Sequence, residues 1–167
     1  MRKKICFSNK EKEIKISLSI SKNTFLIGPY NPADLSMFKD FDEIKQSLSI
    51  VAKSFVTMAK PIKVNNTNIY VRDTILLAPG NQKSLANLGK LYENEGDFNK
   101  RKLSQNELEN MKGLLLNDKQ TFEDYAIQDV VITLKQAIAM EKFNFTLKKI
   151  GIPVTLSSIG RNYVASE

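Results

Sequence analysis

Thr24-Phe-Leu-Ile-Gly-Pro-Tyr-Asn-Pro-Ala-Asp34 is the stretch on which the fold class turns. Thr24-Phe-Leu-Ile27 is a short apolar run of the kind that a buried strand carries. Gly28-Pro29-Tyr30-Asn31-Pro32 is a dense turn cluster, and residues 33–41 then take a helical pattern. Pro32 suits the start of that helix, where a missing N–H costs little. A strand, a turn and a helix mouth therefore follow one another directly, as they do in α/β proteins.

The pattern extends in both directions. Upstream, residues 14–20 alternate apolar and polar side chains, as a half-buried strand does. Downstream, a second short helix is expected over 41–51, followed by strands at 54–58, 62–64 and 69–74. Asn65-Asn66-Thr67-Asn68 supplies turn chemistry between the last two, and Gly80-Asn81 closes the strand region. Residues 82–92 carry Leu85, Leu88 and Leu91 at helical spacing, and the polar, basic 94–102 reads as a surface loop. Ser104-Gln-Asn-Glu107 has the form of a capping box, opening a helix with Leu108, Met111, Leu114 and Leu115 on one face. Thr121-Phe-Glu-Asp124 is a second such start, for a helix running to about Lys149 with Phe122, Ala126, Val130, Leu134, Ala137 and Ile138 turned inward. Gly151 and Pro153 end it, and a last short helix is expected over 155–163. Strands precede helices, so the expectation is one α/β domain over 1–167, a mixed sheet packed against the long helix.

Composition limits the chemistry. The 167 residues include no histidine, which excludes Ser-His triads, Cys-His nucleophiles and most zinc sites. Cys6 is alone, so neither an internal disulfide nor a thiolate cluster can form, and a reducing compartment is expected. Apolar side chains make up 42% of the chain, yet no uninterrupted run is long enough to span a bilayer, and the start lacks the apolar core of a secretory peptide. With 25 basic against 18 acidic residues the chain carries +7, a balance that suits a polyanionic partner.

Two spacings then stand out. Tyr125 and Asp129 lie four apart on the long helix, so hydroxyl and carboxylate share one face. Asn31 and Asp34 sit at the mouth of a helix directly after a strand, where Asn is a good cap and an acid in the first turn is favoured by the helix dipole. Each pair alone is what an ordinary amphipathic or capped helix would show.

Together, an Asn-x-x-Asp after a strand and a Tyr-x-x-x-Asp on a long helix resemble the second and third exonuclease motifs of family B DNA polymerases. Between them, Tyr70-Val-Arg-Asp-Thr-Ile-Leu-Leu-Ala-Pro79 and Ser84-Leu-Ala-Asn-Leu-Gly-Lys-Leu-Tyr92 resemble the protein-primed branch, above all the polymerases of linear and mitochondrial plasmids. The likeness covers about Phe25 to Val164, and residues 151–167 resemble the passage towards a polymerase domain.

The resemblance implies an RNase H-like fold and 3′–5′ hydrolysis of single-stranded DNA with Mg2+ or Mn2+, two ions about 3.5–4 Å apart activating water and stabilising the leaving oxygen. It implies that Asp34 and Asp129 serve the metals, that Tyr125 orients the water and that Asn31 supports the strand end. It further implies that Thr74 and Ile75 contact single-stranded nucleic acid, and that the family's loop lysine is Lys100 or Lys102. Lys100, Arg101 and Lys102, with the basic start Arg2-Lys3-Lys4, would neutralise phosphates, and Tyr92 or Phe98 could stack on a base or anchor the loop.

The sequence also departs from the family. No Asp-x-Glu strand precedes Asp34, and no polymerase motif follows, so the expectation is an exonuclease-like domain truncated at its N-terminus. Two readings follow: a nucleic-acid-binding exonuclease portion, completed by a partner chain or by the rest of a longer polymerase, or a remnant kept as a structural subunit, for example of a mitochondrial ribonucleoprotein such as the ribosome. An unrelated basic α/β domain is a third. Abundant Lys, Asn and Ile with no Trp fits an AT-rich coding sequence, and with the likeness points to the mitochondrion, otherwise the cytoplasm.

Overall fold

The computed structural model describes residues 21–29, 34–37, 41–46, 48–51, 55–58, 60–64, 66–80, 82–96, 98 and 100–165. The expected strand at 14–20, the basic start at 2–4 and Asn31 lie outside these.

The described chain is a mixed α/β structure. Strands β1 (Asn23–Gly28), β4 (Ile62–Val64) and β5 (Thr67–Asp73) form one sheet in the order β1-β5-β4. β1 and β5 run parallel with Asn23 opposite Asn68 and Gly28 opposite Asp73, so both strands end at the same level. β4 and β5 are antiparallel, joined through a turn where Asn66 takes φ 64°, a left-handed position that Asn tolerates. A parallel pair needs a long crossover. Here the crossover carries α1 (Phe41–Lys45) and the antiparallel pair of β2 (Ser49–Val51) with β3 (Phe55–Thr57). The single helix expected over 41–51 is thus corrected: it stops at Lys45, and the β-branched Ile50 and Val51 fall in a strand.

The end of β3 leans on β5. The Met58 amide and the Thr57 hydroxyl both donate to the Val71 carbonyl, at 3.3 and 3.1 Å. Leu35, Met58 and Val71 form a core cluster there, edged by Phe41, Leu48 and Ile62.

After β5 a 3-10 turn (Thr74–Leu77) leads to α2 (Leu85–Lys90), capped by Ser84, whose hydroxyl accepts from the Asn87 amide at 3.2 Å. Ser104 closes the expected capping box of α3 (Gln105–Glu109). That helix breaks at Asn110, whose side chain caps a separate α4 (Met111–Asn117). The long helix α5 (Lys119–Thr146) starts two residues before Thr121: Asp118 is the cap, accepting from the Thr121 amide at 3.1 Å. The last helix, α6 (Leu156–Val164), is capped by Thr155.

α5 packs on β1, the 3-10 turn, α2 and α4, and of the residues expected to face inward only Ala137 is fully buried. Val130, Leu134 and Ile138 are exposed, while Thr121, Ile132, Thr133, Gln136, Ala137 and Asn144 are buried. Hydrogen bonding accounts for Gln136 and Asn144. The tight 3-10 turn and the chain after α5 leave carbonyls without ladder partners, and α5 supplies the donors. Gln136 Nε2 donates to the Leu77 carbonyl at 2.8 Å, and Asn144 Nδ2 to the Gly151 carbonyl at 2.9 Å. Ile132 joins Ile75, Ala78 and Leu88 in one cluster, and Ala137 joins Leu77 and Ile152 in another. Tyr92 is buried, its hydroxyl donating to Gln136, and Phe98 packs on the Ile75 cluster. Both aromatics thus pack into the fold, Tyr92 buried and Phe98 partly so.

Arg72 is buried near the C-terminal end of β5. Its guanidinium donates to the carbonyls of Ile152 (2.8 Å), Met58 (2.6 Å) and Val71 (2.9 Å). The stacked rings of Phe25 and Tyr70, a cross-strand pair 4.9 Å apart, lie within 5.6 Å of its charge. Arg72→Met should destabilise the fold by about 2–4 kcal/mol, since it leaves buried carbonyls unpaired. Urea unfolding measures this, and a loss below about 0.5 kcal/mol, the scale of ordinary surface changes, would contradict the clamp.

Candidate functional site

Because β1 and β5 are parallel and end together, the chain diverges on leaving them and opens a cleft, the usual place for a ligand in an α/β sheet. Pro29 and Asp34 come from the exit of β1, and Ile75 from the exit of β5. Lys83 and Leu85 flank the cap of α2, Lys100 comes from the loop before α3, and Asp129 comes from α5. The cavity measures about 460 Å³, within the size range of small-ligand sites.

Local bonding fixes the floor. The Asp73 carboxylate accepts from the Ile75 amide at 3.0 Å and so caps the 3-10 turn. Thr74 is fully buried with its hydroxyl 3.5 Å from the Gly28 carbonyl, which ties the ends of the two strands together. Thr74 is therefore under the cleft rather than in it, and Ile75 presents the apolar surface beside it.

The charged wall is built on α5. Lys100 Nζ lies 2.8 Å from Asp129 Oδ1 and donates to Oδ2 at 3.1 Å. The same ammonium sits 4.5 Å from the centre of the Tyr125 ring, one helical turn earlier. Partial burial acts to lower the pKa of Lys100. The hydrogen bonds with Asp129 and Tyr125 and their charges outweigh it, holding the ammonium above the ordinary lysine value. Of the two loop lysines it is Lys100 that meets Asp129 and Tyr125, while Lys102 is exposed. The loop is thus more than the surface excursion its composition implies.

Its path is set by Phe98 and by a close approach to Gly89, where any Cβ would overlap the Phe98 carbonyl oxygen. Arg101 turns to the neighbouring face of α5. Its amide donates to Gln128 Oε1 at 2.5 Å, and it lines a smaller cavity of about 330 Å³ with Asp124, Ile127 and Val131.

The structure thus brings Asp34, Asp129, Ile75 and Lys100 to one cavity, with Tyr125 beside it through Lys100. Glu123 and Asp124 stay on exposed parts of α5, bonded to Lys119 and Gln120. Lys83 belongs to the cleft but has no motif to mark it; the turn chemistry of Gly80-Asn81 in the sequence is the nearest signal. Among the described residues, no three His, Cys, Asp or Glu side chains come together as a metal group. The two carboxylates, one already ion-paired, make a poor donor set for the two ions that the exonuclease resemblance implies. Among the described residues no helix is long and apolar enough to cross a membrane. No protein-family model, curated protein or solved structure matches the chain.

Two outcomes are expected. Gly89→Ala should displace the loop that carries Lys100 and lower stability by about 1–3 kcal/mol. An unchanged melting temperature would mean the contact is loose. For Lys100, a raised folded-state pKa means that its contribution is fully present below the ordinary lysine range and is lost as pH rises through the raised value. The stability advantage of the wild type over Lys100→Met should therefore hold at about pH 8 and shrink above about pH 10.5. Thermal melts of both proteins across that range decide it, and a constant difference would remove the ion pair as its source.

Proposed function

We propose that this chain forms part of a 3′–5′ exonuclease-type domain of RNase H-like fold, of the kind found in protein-primed family B DNA polymerases, and that its cleft binds single-stranded nucleic acid. The observation that carries the reading is the convergence of Asp34, Ile75, Lys100 and Asp129, from four separate segments, on one cavity at the ends of two parallel strands. A net charge of +7 supports a polyanionic ligand. The plasmid-type resemblance and the AT-rich composition extend the proposal to the mitochondrion.

One observation favours binding without hydrolysis by these residues alone. Lys100 neutralises Asp129, the carboxylate that the exonuclease resemblance assigns to a metal. Asp34 and Asp129 would hold one hard cation weakly, with water completing its shell, and the second ion would lack ligands. Catalysis in this reading waits on carboxylates from elsewhere, in a longer polymerase or a partner chain. Without them the domain serves as a binding or structural unit.

The test pairs a binding measurement with an activity measurement. Fluorescence anisotropy with a labelled single-stranded oligonucleotide should show affinity falling at least about tenfold between about 50 and 200 mM salt, as release of a few counterions requires. Affinity independent of salt would refute the electrostatic basis. End-labelled single-stranded DNA incubated with the chain and Mg2+ or Mn2+ should stay intact. Shortening that Asp129→Ala abolishes would show that a complete metal site exists.

A further inference from the structure

The cleft holds two lysines that differ in what they are free to do. Lys100 is committed, since its ammonium is held by Asp129 and Tyr125. Lys83 is exposed, and among the described residues it enters no ion pair. Its backbone, by contrast, is held from both sides. The Gln82 amide closes a turn on the Pro79 carbonyl at 2.9 Å, and Ser84 caps α2. Leu85, which lines the same cleft, packs on the cluster of Ile75, Leu88 and Ile132. A fixed backbone with a long, mobile, charged side chain at a cavity rim is well suited to meet an anion arriving from solvent. Asp34 and the Lys100–Asp129 pair line the same cavity, and with Lys100 committed to Asp129 no cation but Lys83 is left for a ligand phosphate among the described lining residues.

We propose that Lys83 is the phosphate contact of the cleft, holding a backbone phosphodiester next to the 3′ end of a bound single strand while Ile75 and Leu85 offer apolar surface beside it. This rests on the single-strand reading above and adds to it the residue that sets the strand's position. Lysine serves here as a point charge, so arginine can replace it and a neutral side chain cannot.

The experiment is anisotropy with a labelled oligonucleotide at about 0.1 M salt and across a salt series, using wild type, Lys83→Gln and Lys83→Arg. Parallel probes carry a neutral methylphosphonate at the first or second linkage from the 3′ end. Losing one phosphate contact on a single strand should weaken binding about fivefold at about 0.1 M salt and reduce the slope of log K against log salt by about 0.7. Lys83→Gln is expected to show that loss and Lys83→Arg to restore it. On the methylphosphonate probe, wild type and Lys83→Gln should converge, because the same contact cannot be lost twice. If wild type binds with the expected salt dependence but Lys83→Gln equals it, or loses as much on the methylphosphonate probe, the assignment of Lys83 is overturned and the single-strand reading stands. If wild type binds no oligonucleotide, that reading fails and the role of Lys83 falls with it.

Discussion

Arg72 lies within the protein with carbonyl oxygens and aromatic faces around its guanidinium, and the other parts of the structure are arranged by what that charge requires. Its hydrogen bonds reach β5 itself, the end of β3 and the chain that follows α5. Burial pushes its pKa down, with the nearby Tyr70 acting in the opposite sense, yet a guanidinium starts so high that it stays protonated. The ion must therefore be solvated by the protein, and besides the adjacent Val71 the accepting carbonyls come from two segments distant in sequence. Holding them fixes the level at which β5 leaves the sheet and the line along which α5 returns. The level and the line together define the cleft.

α5 illustrates how backbone needs override side-chain pattern. Its apolar residues at three- and four-residue spacing place a stripe over Val130, Leu134 and Ile138, and that stripe is exposed. The face that packs carries Gln136 and Asn144, which donate to the carbonyls of Leu77 and Gly151, beside the apolar Ile132 and Ala137. Periodicity registers which side chains dislike water. It does not register which distant carbonyl lacks a partner, and in this helix two such carbonyls take donors from the packed face.

The same distinction separates what was legible in the sequence from what was not. The positions of β1, β4 and β5 and the capping box at Ser104 are local signals that stand in the structure, although Leu26 of β1 is exposed rather than buried and the expected start at Thr121 moves to a cap at Asp118. The split of the 41–51 segment depends on pairing with Phe55–Thr57, which no local pattern records. At the cleft, the four-residue spacing of Tyr125 and Asp129 could be read directly. The choice between Lys100 and Lys102 could not, because the loop is steered by Phe98 and by the missing side chain of Gly89. Lys83 escaped notice since its position follows from a turn, a cap and a hydrophobic contact acting together.

The in-register parallel pairing of β1 with β5 also has a kinetic side. Its partners are separated by the whole crossover, and the cavity wall on α5 comes from farther along still. Contacts of such long range are slow to form, because loop-closure entropy must be spent before they return any stabilisation. Hairpin β4–β5 and the capped helices rest on neighbours in sequence and can form early, but none of them contains the cleft. The cavity is therefore a property of the finished topology alone, and any binding at the proposed site would return during refolding only when the last long-range contacts close.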